Sequence, residues 1–347
     1  MTSQKSGSQS APPNRAVLGL TLGDPCGIGP ELVLKAFRTK EIRELCRLVA
    51  IGERSVLEFY ARLLKLKVRM VPFAPDAHGK VGAGELEIIE PHGNRLFTQP
   101  PVVAKIMPEA GEAAFRAIVA GVVAVQKGLL SGLVTAPIHK GALHAAGHEF
   151  PGHTELLAHL AGVPRVAMMM VGGGMCVSLA TVHEPLARVP SLLNIEGLLE
   201  TFRLTHDFLL KRGVSAPRIG VAGLNPHAGE GGMFGKEEQE IIGPAIAKGR
   251  SKGLNLTGPL PGDTIFHEHR QGRFDAVVAM YHDQGLVAVK TLDFHGGVNV
   301  TLGLPFVRTS PDHGTAFNIA GKGLADPRSF LAAIRLAASL LHWTERR

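Results

Sequence analysis

The feature of this sequence that most constrains its fold is a repeated order of short apolar runs followed by segments with helical spacing. Apolar runs at Ala16–Leu22 and Arg47–Ile51 are typical of buried strands. The segments after them, Pro30–Phe37 and Glu53–Leu64, carry apolar residues at helical spacing, as does the longer Glu109–Gln126. Strands that alternate with helices form βαβ units and hence parallel sheet. The sequence therefore predicts an α/β fold with mostly parallel sheets.

The middle of the chain departs from this order. Val166–Val171 and Met175–Thr181 are apolar runs on either side of three glycines, which predicts two strands joined by a glycine turn that could extend past the sheet. Leu192–Leu210 predicts a long helix, and Asp326 can cap the last helix. Further strands are expected at Arg218–Leu224, Ala276–Met280 and Val298–Leu302.

Size and composition favour an enzyme with two lobes. The chain has 347 residues, of which 45% are hydrophobic and 19% charged, and this excludes a disordered protein. Single cores stop growing at about 250–300 residues, so we expect two lobes around a cleft. A net charge of +7 suits either an enzyme for anionic substrates or a nucleic-acid binder. One Trp and two Tyr leave little for base stacking, so we expect no nucleic-acid partner.

The cysteines and the N-terminal segment favour a cytoplasmic protein. Cys26, Cys46 and Cys176 are odd in number and far apart, which suits neither a disulfide framework nor a zinc knuckle. Met1–Pro13 lacks the apolar core of a signal peptide, and we expect residues 1–14 to be a disordered tail. No apolar stretch is long enough to span a membrane, so we expect no membrane partner.

Three histidines each closely follow an apolar strand. His183, His227 and His282 come after the runs that end near Thr181, Leu224 and Met280. Ligands of open α/β sheets bind outside the carboxyl ends of strands, where distant residues can converge. Three imidazoles are a suitable ligand set for Zn²⁺ or a similar divalent ion. Taken singly, each histidine is more often a loop or core residue than a metal ligand.

Two glycine-rich loops and a group of polar residues are further candidates for ligand binding. The loops Gly23–Glu31 and Asp312–Gly323 match neither the dinucleotide fingerprint nor the Walker spacing, and each could be a plain connection. Lys290, Asn299 and Arg308 lie on or beside strand-like segments. Arg308 has apolar neighbours that suggest partial burial, and a buried Arg needs an anion such as phosphate or carboxylate.

Taken together, these blocks resemble the 4-hydroxythreonine-4-phosphate dehydrogenase family of pyridoxal phosphate biosynthesis. The resemblance covers nearly all of the chain except the tail. Its strongest blocks are Gly23–Glu31, Thr135–Pro137, Pro151–Glu155, Asn225–Glu230, Gly258–Asp263, Tyr281–Gly285 and Gly297–Gly323.

The resemblance implies an isopropylmalate-dehydrogenase-like fold of two domains with a central interdomain cleft. Residues 15–130 and 300–347 would form the outer α/β domain on the cofactor side, and residues 131–299 the domain for metal, substrate and dimerisation. It further implies a homodimer whose active site is completed by the partner subunit. The likeliest elements of that interface are the long helix Leu192–Leu210 and the strand pair Val166–Thr181.

The site residues carry over one by one from the family's motifs. The metal ligands implied are His183, His227 and His282. The substrate contacts implied are His153, Thr154, Lys290, Asn299 and Arg308. In the two glycine-rich loops the implied cofactor contacts are Gly23, His313 and Asn318. His153 and Thr154 favour a phosphorylated acyclic substrate over an aromatic dihydrodiol, while Gly231–Gly235 looks bulkier than the family's pattern.

The activity implied is oxidation of 4-hydroxythreonine 4-phosphate with NAD or NADP and one divalent ion (Zn, Mg or Co). The product, a 2-amino-3-oxo acid, would decarboxylate to 3-amino-2-oxopropyl phosphate, and Asp263 or Asp283 would act as the base. One alternative is a paralogue that acts on threonate or erythronate 4-phosphate. Another is a hydrolase that uses three histidines and a metal ion to activate water.

Overall fold

The described strands form a single twelve-stranded sheet. The structure is a computed structural model that describes residues 15–77, 82 and 84–344, so the predicted tail at residues 1–14 lies outside the described residues. The strands are β1 Val17–Thr21, β2 Arg47–Ile51, β3 Arg69–Pro72, β4 Glu85–Ile89, β5 Gly132–Thr135, β6 Ala167–Gly172, β7 Met175–Leu179, β8 Arg218–Ala222, β9 Asn255–Leu260, β10 Ala276–Ala279, β11 Val298–Leu302 and β12 Val307–Pro311. Their spatial order is β3-β4-β2-β1-β5-β12-β11-β6-β7-β10-β8-β9.

Strand direction divides this sheet into two parallel groups. β11 pairs antiparallel with β12 and with β6, and β6 pairs antiparallel with β7. The other strand pairs are parallel. The group that contains β1, β5 and β12 therefore runs opposite to the group that contains β7, β10 and β8. The predicted α/β fold with mostly parallel sheet is confirmed, and the change of direction falls at the centre of the sheet.

Helices cover both faces of the sheet. They are α1 Gly29–Arg38, α2 Lys40–Leu45, α3 Arg54–Leu63, α4 Pro108–Gln126, α5 Lys140–Ala145, α6 His153–Ala161, α7 Val189–Leu192, α8 Ile195–Lys211, α9 Gly243–Ser251, α10 Ile265–Arg270, α11 His282–Leu292 and α12 Arg328–Thr344. The predicted cap of the last helix is confirmed, because an Asp326 carboxylate oxygen accepts a hydrogen bond of 3.0 Å from the Arg328 backbone N–H. Within the described ranges, no helix is both long and apolar enough to cross a bilayer.

Two expectations about local structure were wrong. The strand pair around the three glycines is β6 and β7, and it lies inside the sheet between β11 and β10 rather than extending past it. Its methionines Met168, Met169 and Met170 are at most 6% exposed, since helices cover both faces of these strands. Lys290 lies in helix α11 and not beside a strand, because the polar pair His282-Asp283 begins a helix directly after β10.

Candidate active site

The register of the central strands places polar side chains on one face of the sheet. Arg308 and Ser310 are two residues apart on β12, and Asn299 pairs with Ser310 across the ladder to β11. Side chains two apart on a strand share a face, and so do cross-strand partners. These three residues line a cavity of about 350 Å³. Its walls come from the segment after β5, from the start of α6 and from α11. The cavity thus lies where the two parallel groups meet.

Arg308 is the most buried charge in this cavity, with a side chain only 2% exposed. Its guanidinium donates hydrogen bonds to the hydroxyl of Thr135 at 2.7 and 3.2 Å and to the hydroxyl of Thr301 at 2.8 Å. Both acceptors are neutral, and among the described residues no carboxylate forms an ion pair with it. Burial lowers the pKa of Arg308 to about 9, while the nearby Glu155 opposes that shift. The cavity therefore holds a desolvated cation that lacks an anionic partner.

Three buried polar atoms around Arg308 have no hydrogen-bond partner within the described part of the chain. They are His153 Nε2, Asn299 Oδ1 and His313 Nε2. Burial, and then the positive charge of Arg308, holds the pKa of His153 well below its usual range, so this imidazole is neutral. Buried polar atoms are nearly always paired in folded proteins. A ligand that carries a hydroxyl or amine donor for the Asn299 oxygen, together with oxygens or donors that suit the two imidazoles, would pair these three atoms.

Lys290 on α11 faces the same cavity but is already paired. Its ammonium lies 2.9 Å from a carboxylate oxygen of Asp312, which follows β12. Asp312 is also held by its backbone N–H, which donates to the Ser329 hydroxyl at 3.1 Å. An anionic ligand would have to share Lys290 with this carboxylate. Arg308 is consequently the stronger candidate for anion binding.

Two of the three predicted metal ligands lie side by side. β7, β10 and β8 are parallel neighbours, so His183, His282 and His227 do follow strands whose carboxyl ends share an edge. The rings of His183 and His282 have centroids 5.5 Å apart. His282 and Asp283 form a hydrogen bond, in which His282 Nδ1 lies 2.7 Å from an Asp283 carboxylate oxygen. Burial lowers the pKa of His183, and the charges of Lys140 and His282 act in the same direction.

His227 lies in a second cavity. This cavity has a volume of about 620 Å³, and Asp263, Asp283 and Val287 line it together with His227. The His227 backbone has φ 53°, in a turn where Ala228 and Glu230 also adopt positive φ. No three side chains of His, Cys, Asp or Glu converge on one point within residues 15–77, 82 and 84–344. The donor chemistry fits a divalent ion, but one chain brings only His183 and His282 together.

The two glycine-rich loops, which carry the predicted cofactor contacts, lie against each other. The Ile28 backbone N–H donates to the Thr315 carbonyl at 3.1 Å and joins them. Gly23 has φ 65°, and a Cβ there would lie 2.2 Å from the carbonyl oxygen of Pro137. Only glycine fits this position, because any side chain would collide with the Pro137 carbonyl oxygen. His313 lines the first cavity, whereas the exposed Asn318 lines neither cavity.

Asp24, in the first of these loops, is a buried carboxyl with one free oxygen. One oxygen accepts a hydrogen bond of 2.7 Å from the Cys26 backbone N–H, and the other has no partner among the described residues. Burial raises the pKa of Asp24 to about 6, and the bond from Cys26 opposes that shift. The carboxyl is therefore poised to change charge near neutral pH.

The first cavity gathers most of the predicted site and adds residues that the sequence interpretation missed. It contains the five predicted substrate residues, His153, Thr154, Lys290, Asn299 and Arg308, with His183, His282 and His313. The residues missed are Thr135, Lys140, Glu155 and Asp312. Thr135 and Glu155 belong to blocks that carried the resemblance, which could have marked them. Nothing in the local pattern marks Lys140, because a lysine after a loop is usually a surface residue.

Comparison with known proteins assigns the chain to a family. Residues 44–337 match the family model described as pyridoxal phosphate biosynthetic protein PdxA. The chain belongs to the PdxA family. The PdxA relatives include a 4-hydroxythreonine-4-phosphate dehydrogenase of Desulforapulum autotrophicum, 45% identical over 94% of this chain and 95% of the relative. A D-threonate 4-phosphate dehydrogenase of Cupriavidus necator is 44% identical over 93% of this chain and 97% of the relative.

A solved structure from the PdxA family agrees with the fold described above. The 4-hydroxythreonine-4-phosphate dehydrogenase of Klebsiella pneumoniae is 38% identical in sequence and superposes with a TM-score of 0.86. The match covers 94% of this chain and 98% of the Klebsiella chain. These three relatives are dehydrogenases, and this confirms the predicted enzyme class, an oxidoreductase. The predicted family and its link to pyridoxal phosphate biosynthesis are confirmed as well.

Proposed function

We propose that this protein oxidises 4-hydroxythreonine 4-phosphate with NAD or NADP to a 2-amino-3-oxo acid. That acid loses CO₂ to give 3-amino-2-oxopropyl phosphate in the synthesis of pyridoxine 5'-phosphate. The single observation that carries the proposal is the buried guanidinium of Arg308, whose acceptors in the described part of the chain are the hydroxyls of Thr135 and Thr301. A desolvated cation of this kind is matched by the phosphate of such a substrate. The relatives of the PdxA family support the same substrate class.

Binding of the substrate would begin at its phosphate. The phosphate oxygens would accept hydrogen bonds from Arg308, from Thr154 and from the amide of Asn299, which all line the first cavity. The ammonium of Lys290 would also attract the phosphate while it stays paired with Asp312. These contacts orient the hydroxyl-bearing carbon, and such orientation is itself a large part of catalysis.

His183, His227 and His282 would hold one divalent ion. His183 and His282 support this with ring centroids 5.5 Å apart. His227 lies in the second cavity, so we propose that the third imidazole comes from the partner subunit or arrives when the two cavities close on each other. When bound, such an ion (Zn, Mg or Co) lowers the pKa of the substrate hydroxyl, and the nicotinamide accepts the hydride. Asp283, 2.7 Å from His282, would orient that ring.

Asp263 is then the better candidate for the base that removes the hydroxyl proton. Asp283 is engaged by His282, whereas Asp263 lines the second cavity beside His227. A base must reach the proton within hydrogen-bond distance, directly or through one water. In the loops on the cofactor side, His313 would contact the cofactor through its unpaired Nε2. Gly23 and Asn318 stay predicted cofactor contacts.

The active unit would be a homodimer with a shared site. Val287, which lines the second cavity, is 64% exposed in the single chain. Met233 and Phe234, which follow the turn that carries His227, are 75% and 48% exposed. A twofold axis would bury this same surface on both subunits. The interface elements predicted from sequence are less suitable. The methionines of β6 are buried within the chain, and Arg203 on α8 is paired with Glu200 and Asp207 on the outer side of that helix.

The division into an outer domain (15–130 and 300–347) and a metal, substrate and dimerisation domain (131–299) stays a prediction. It is supported by the central cavity, whose lining comes from both parts of the chain. A cytoplasmic location is supported by the cysteines Cys26, Cys46 and Cys176, which are all free and buried.

A substrate panel tests the proposal. The purified protein would be given NAD⁺ or NADP⁺, a divalent ion and one of three phosphorylated hydroxy-acids: 4-hydroxythreonine 4-phosphate, D-threonate 4-phosphate or erythronate 4-phosphate. Formation of NADH or NADPH at 340 nm is expected with the first compound, with the highest kcat/KM. A higher value for D-threonate 4-phosphate would favour the second candidate function, which the relative from Cupriavidus necator supports. A hydrolase would form no reduced nucleotide with any of them.

A further inference from the structure

Lys140 brings a second unpaired cation to the first cavity. It is the first residue of α5, and it lines the cavity. Lys290 on α11 is paired with Asp312, but Lys140 forms no ion pair or side-chain hydrogen bond with any described residue. A cation that lines a ligand cavity without an anionic partner is available to the ligand.

The two unpaired cations act on different ends of the cavity. Arg308 is a buried residue of β12, whereas Lys140 is an exposed residue at the start of α5. The side chain of Lys140 passes over Gly152, where an added Cβ would lie 3.8 Å from the Lys140 Cε atom. The same point lies 3.6 Å from a carboxylate oxygen of Glu155, so both side chains lie beside the start of α6. The cavity therefore holds a cation at two places, one buried at Arg308 and one at the exposed rim at Lys140.

Two separate positive places fit a ligand with two anionic groups. A phosphate needs the larger number of donors, and the deep end offers the guanidinium of Arg308, the side-chain amide N–H of Asn299 and, in the tautomer with a proton on Nε2, the imidazole of His153. The rim offers one ammonium, that of Lys140. A carboxylate can be bound by a single ammonium as a point charge.

We propose that Lys140 binds the carboxylate of the substrate and is the residue by which this protein selects phosphorylated acids over phosphorylated alcohols or amines. The inference rests on the proposed function, because it assigns the second anionic group of the same substrate. It adds a contact that the resemblance to the family did not supply. Lys140 holds the carboxylate end while Arg308 holds the phosphate, and the reacting carbon lies between them.

A matched pair of unreactive ligands tests this assignment. O-phospho-L-homoserine is the proposed substrate without its reacting hydroxyl, and 3-aminopropyl phosphate is the same molecule without the carboxylate. Their dissociation constants would be measured by isothermal titration calorimetry with the full-length protein. We expect O-phospho-L-homoserine to bind more tightly. Lys140→Met should weaken its binding by about three- to tenfold, as expected for one ion pair at a cavity rim, and leave 3-aminopropyl phosphate unchanged. Lys140→Arg should retain most of the affinity.

The control removes a lysine elsewhere on the surface. Lys127 is an exposed residue that follows α4 and lines no cavity described above, so Lys127→Met should change neither dissociation constant. Thermal melting of each variant checks that the fold is intact. Equal weakening of both ligands by Lys140→Met, no weakening of either, or wild-type protein that binds neither ligand would each overturn the inference. Lys140-dependent binding without any reduced nucleotide from the substrate panel would instead reject the proposed function and leave the inference standing.

Discussion

Replacing Arg308 with methionine should separate binding of the phosphate from stability of the fold. The guanidinium is 2% exposed, and its three hydrogen bonds go to hydroxyl groups of Thr135 and Thr301. Removing it leaves the substrate phosphate in a desolvated place without a counter-charge. We expect a loss of about 2–5 kcal/mol in transition-state binding, or about 30-fold to several-thousand-fold in kcat/KM.

The same substitution should not destabilise the protein at neutral pH. Burial lowers the pKa of Arg308 to about 9, far below the usual range of a guanidinium, so the buried charge costs on the order of a few kcal/mol. The two threonine hydroxyls that would be left unpaired offset about 1 kcal/mol each. Because the folded pKa is below the unfolded one, this cost is fully present below pH 9 and declines as pH rises above 9. Arg308→Met should therefore melt at or above the wild-type temperature at pH 7–8, and its advantage should shrink above pH 9.

Two assays check this prediction. Steady-state formation of NADH gives kcat/KM for the phosphorylated substrate and for the same hydroxy-acid without phosphate, and thermal melting from pH 7 to 10 gives stability. A control variant, Arg335→Met, removes an exposed arginine that is paired with Glu41 at 2.8 Å, and it should leave kcat/KM unchanged. Equal losses of kcat/KM for the two substrates would refute the assignment of phosphate to Arg308. A strong drop in melting temperature at pH 7 would refute the reasoning about its buried charge.

Three further predictions concern the metal ligands, the buried carboxyl and the dimer. His282→Ala should lower the bound metal, measured by elemental analysis, with the fold intact by circular dichroism, and full metal occupancy would contradict the assignment. Burial raises the folded pKa of Asp24 from 3.8 to about 6, so its stability contribution is complete below pH 3.8 and is lost as pH rises through about 6. Asp24→Asn, which keeps an acceptor for the Cys26 N–H, should therefore raise the melting temperature at pH 8 and not at pH 4, and a pH-independent difference would be the contrary result. Mixed His183→Ala and Asp263→Ala subunits should regain up to about a quarter of wild-type activity if one site draws these residues from different chains. No recovery after verified subunit exchange would count against a shared site built that way.

The strands and long helices of this fold could be predicted from sequence because their signals are local. The predicted strand Arg47–Ile51 has the same bounds in the structure, and the long helix predicted over Glu109–Gln126 is α4, Pro108–Gln126. The direction of the strands is not local. Nothing in the sequence of β6, Ala167–Gly172, indicates that it would lie between two antiparallel neighbours near the centre of the sheet. For that reason the pair β6 and β7, which could have extended past the sheet, lies between other strands, while its turn at Gly173 and Gly174 is exposed.

The sequence predicted which residues form the candidate site better than it predicted how those residues lie relative to one another. The family's motifs marked Arg308, Asn299 and His153, and strand register then brings them to one cavity. The expectation that three strand ends suffice to bring three histidines together does not hold within one chain, since His227 turns into the second cavity. Lys140 could not be found from its neighbours in sequence, because its position in the cavity and its lack of an ion-pair partner among the described residues are properties of the folded chain.

The most direct test of the central claim follows the hydrogen atom that the proposed reaction removes. 4-Hydroxythreonine 4-phosphate labelled with deuterium on the hydroxyl-bearing carbon would be incubated with the protein, NAD⁺ or NADP⁺ and a divalent ion. Mass spectrometry would then measure deuterium in the nicotinamide ring and inorganic phosphate in solution. The account predicts one deuterium in each reduced nucleotide formed, with the phosphate ester intact. Release of phosphate with no deuterium in the nucleotide would contradict it and indicate a hydrolase.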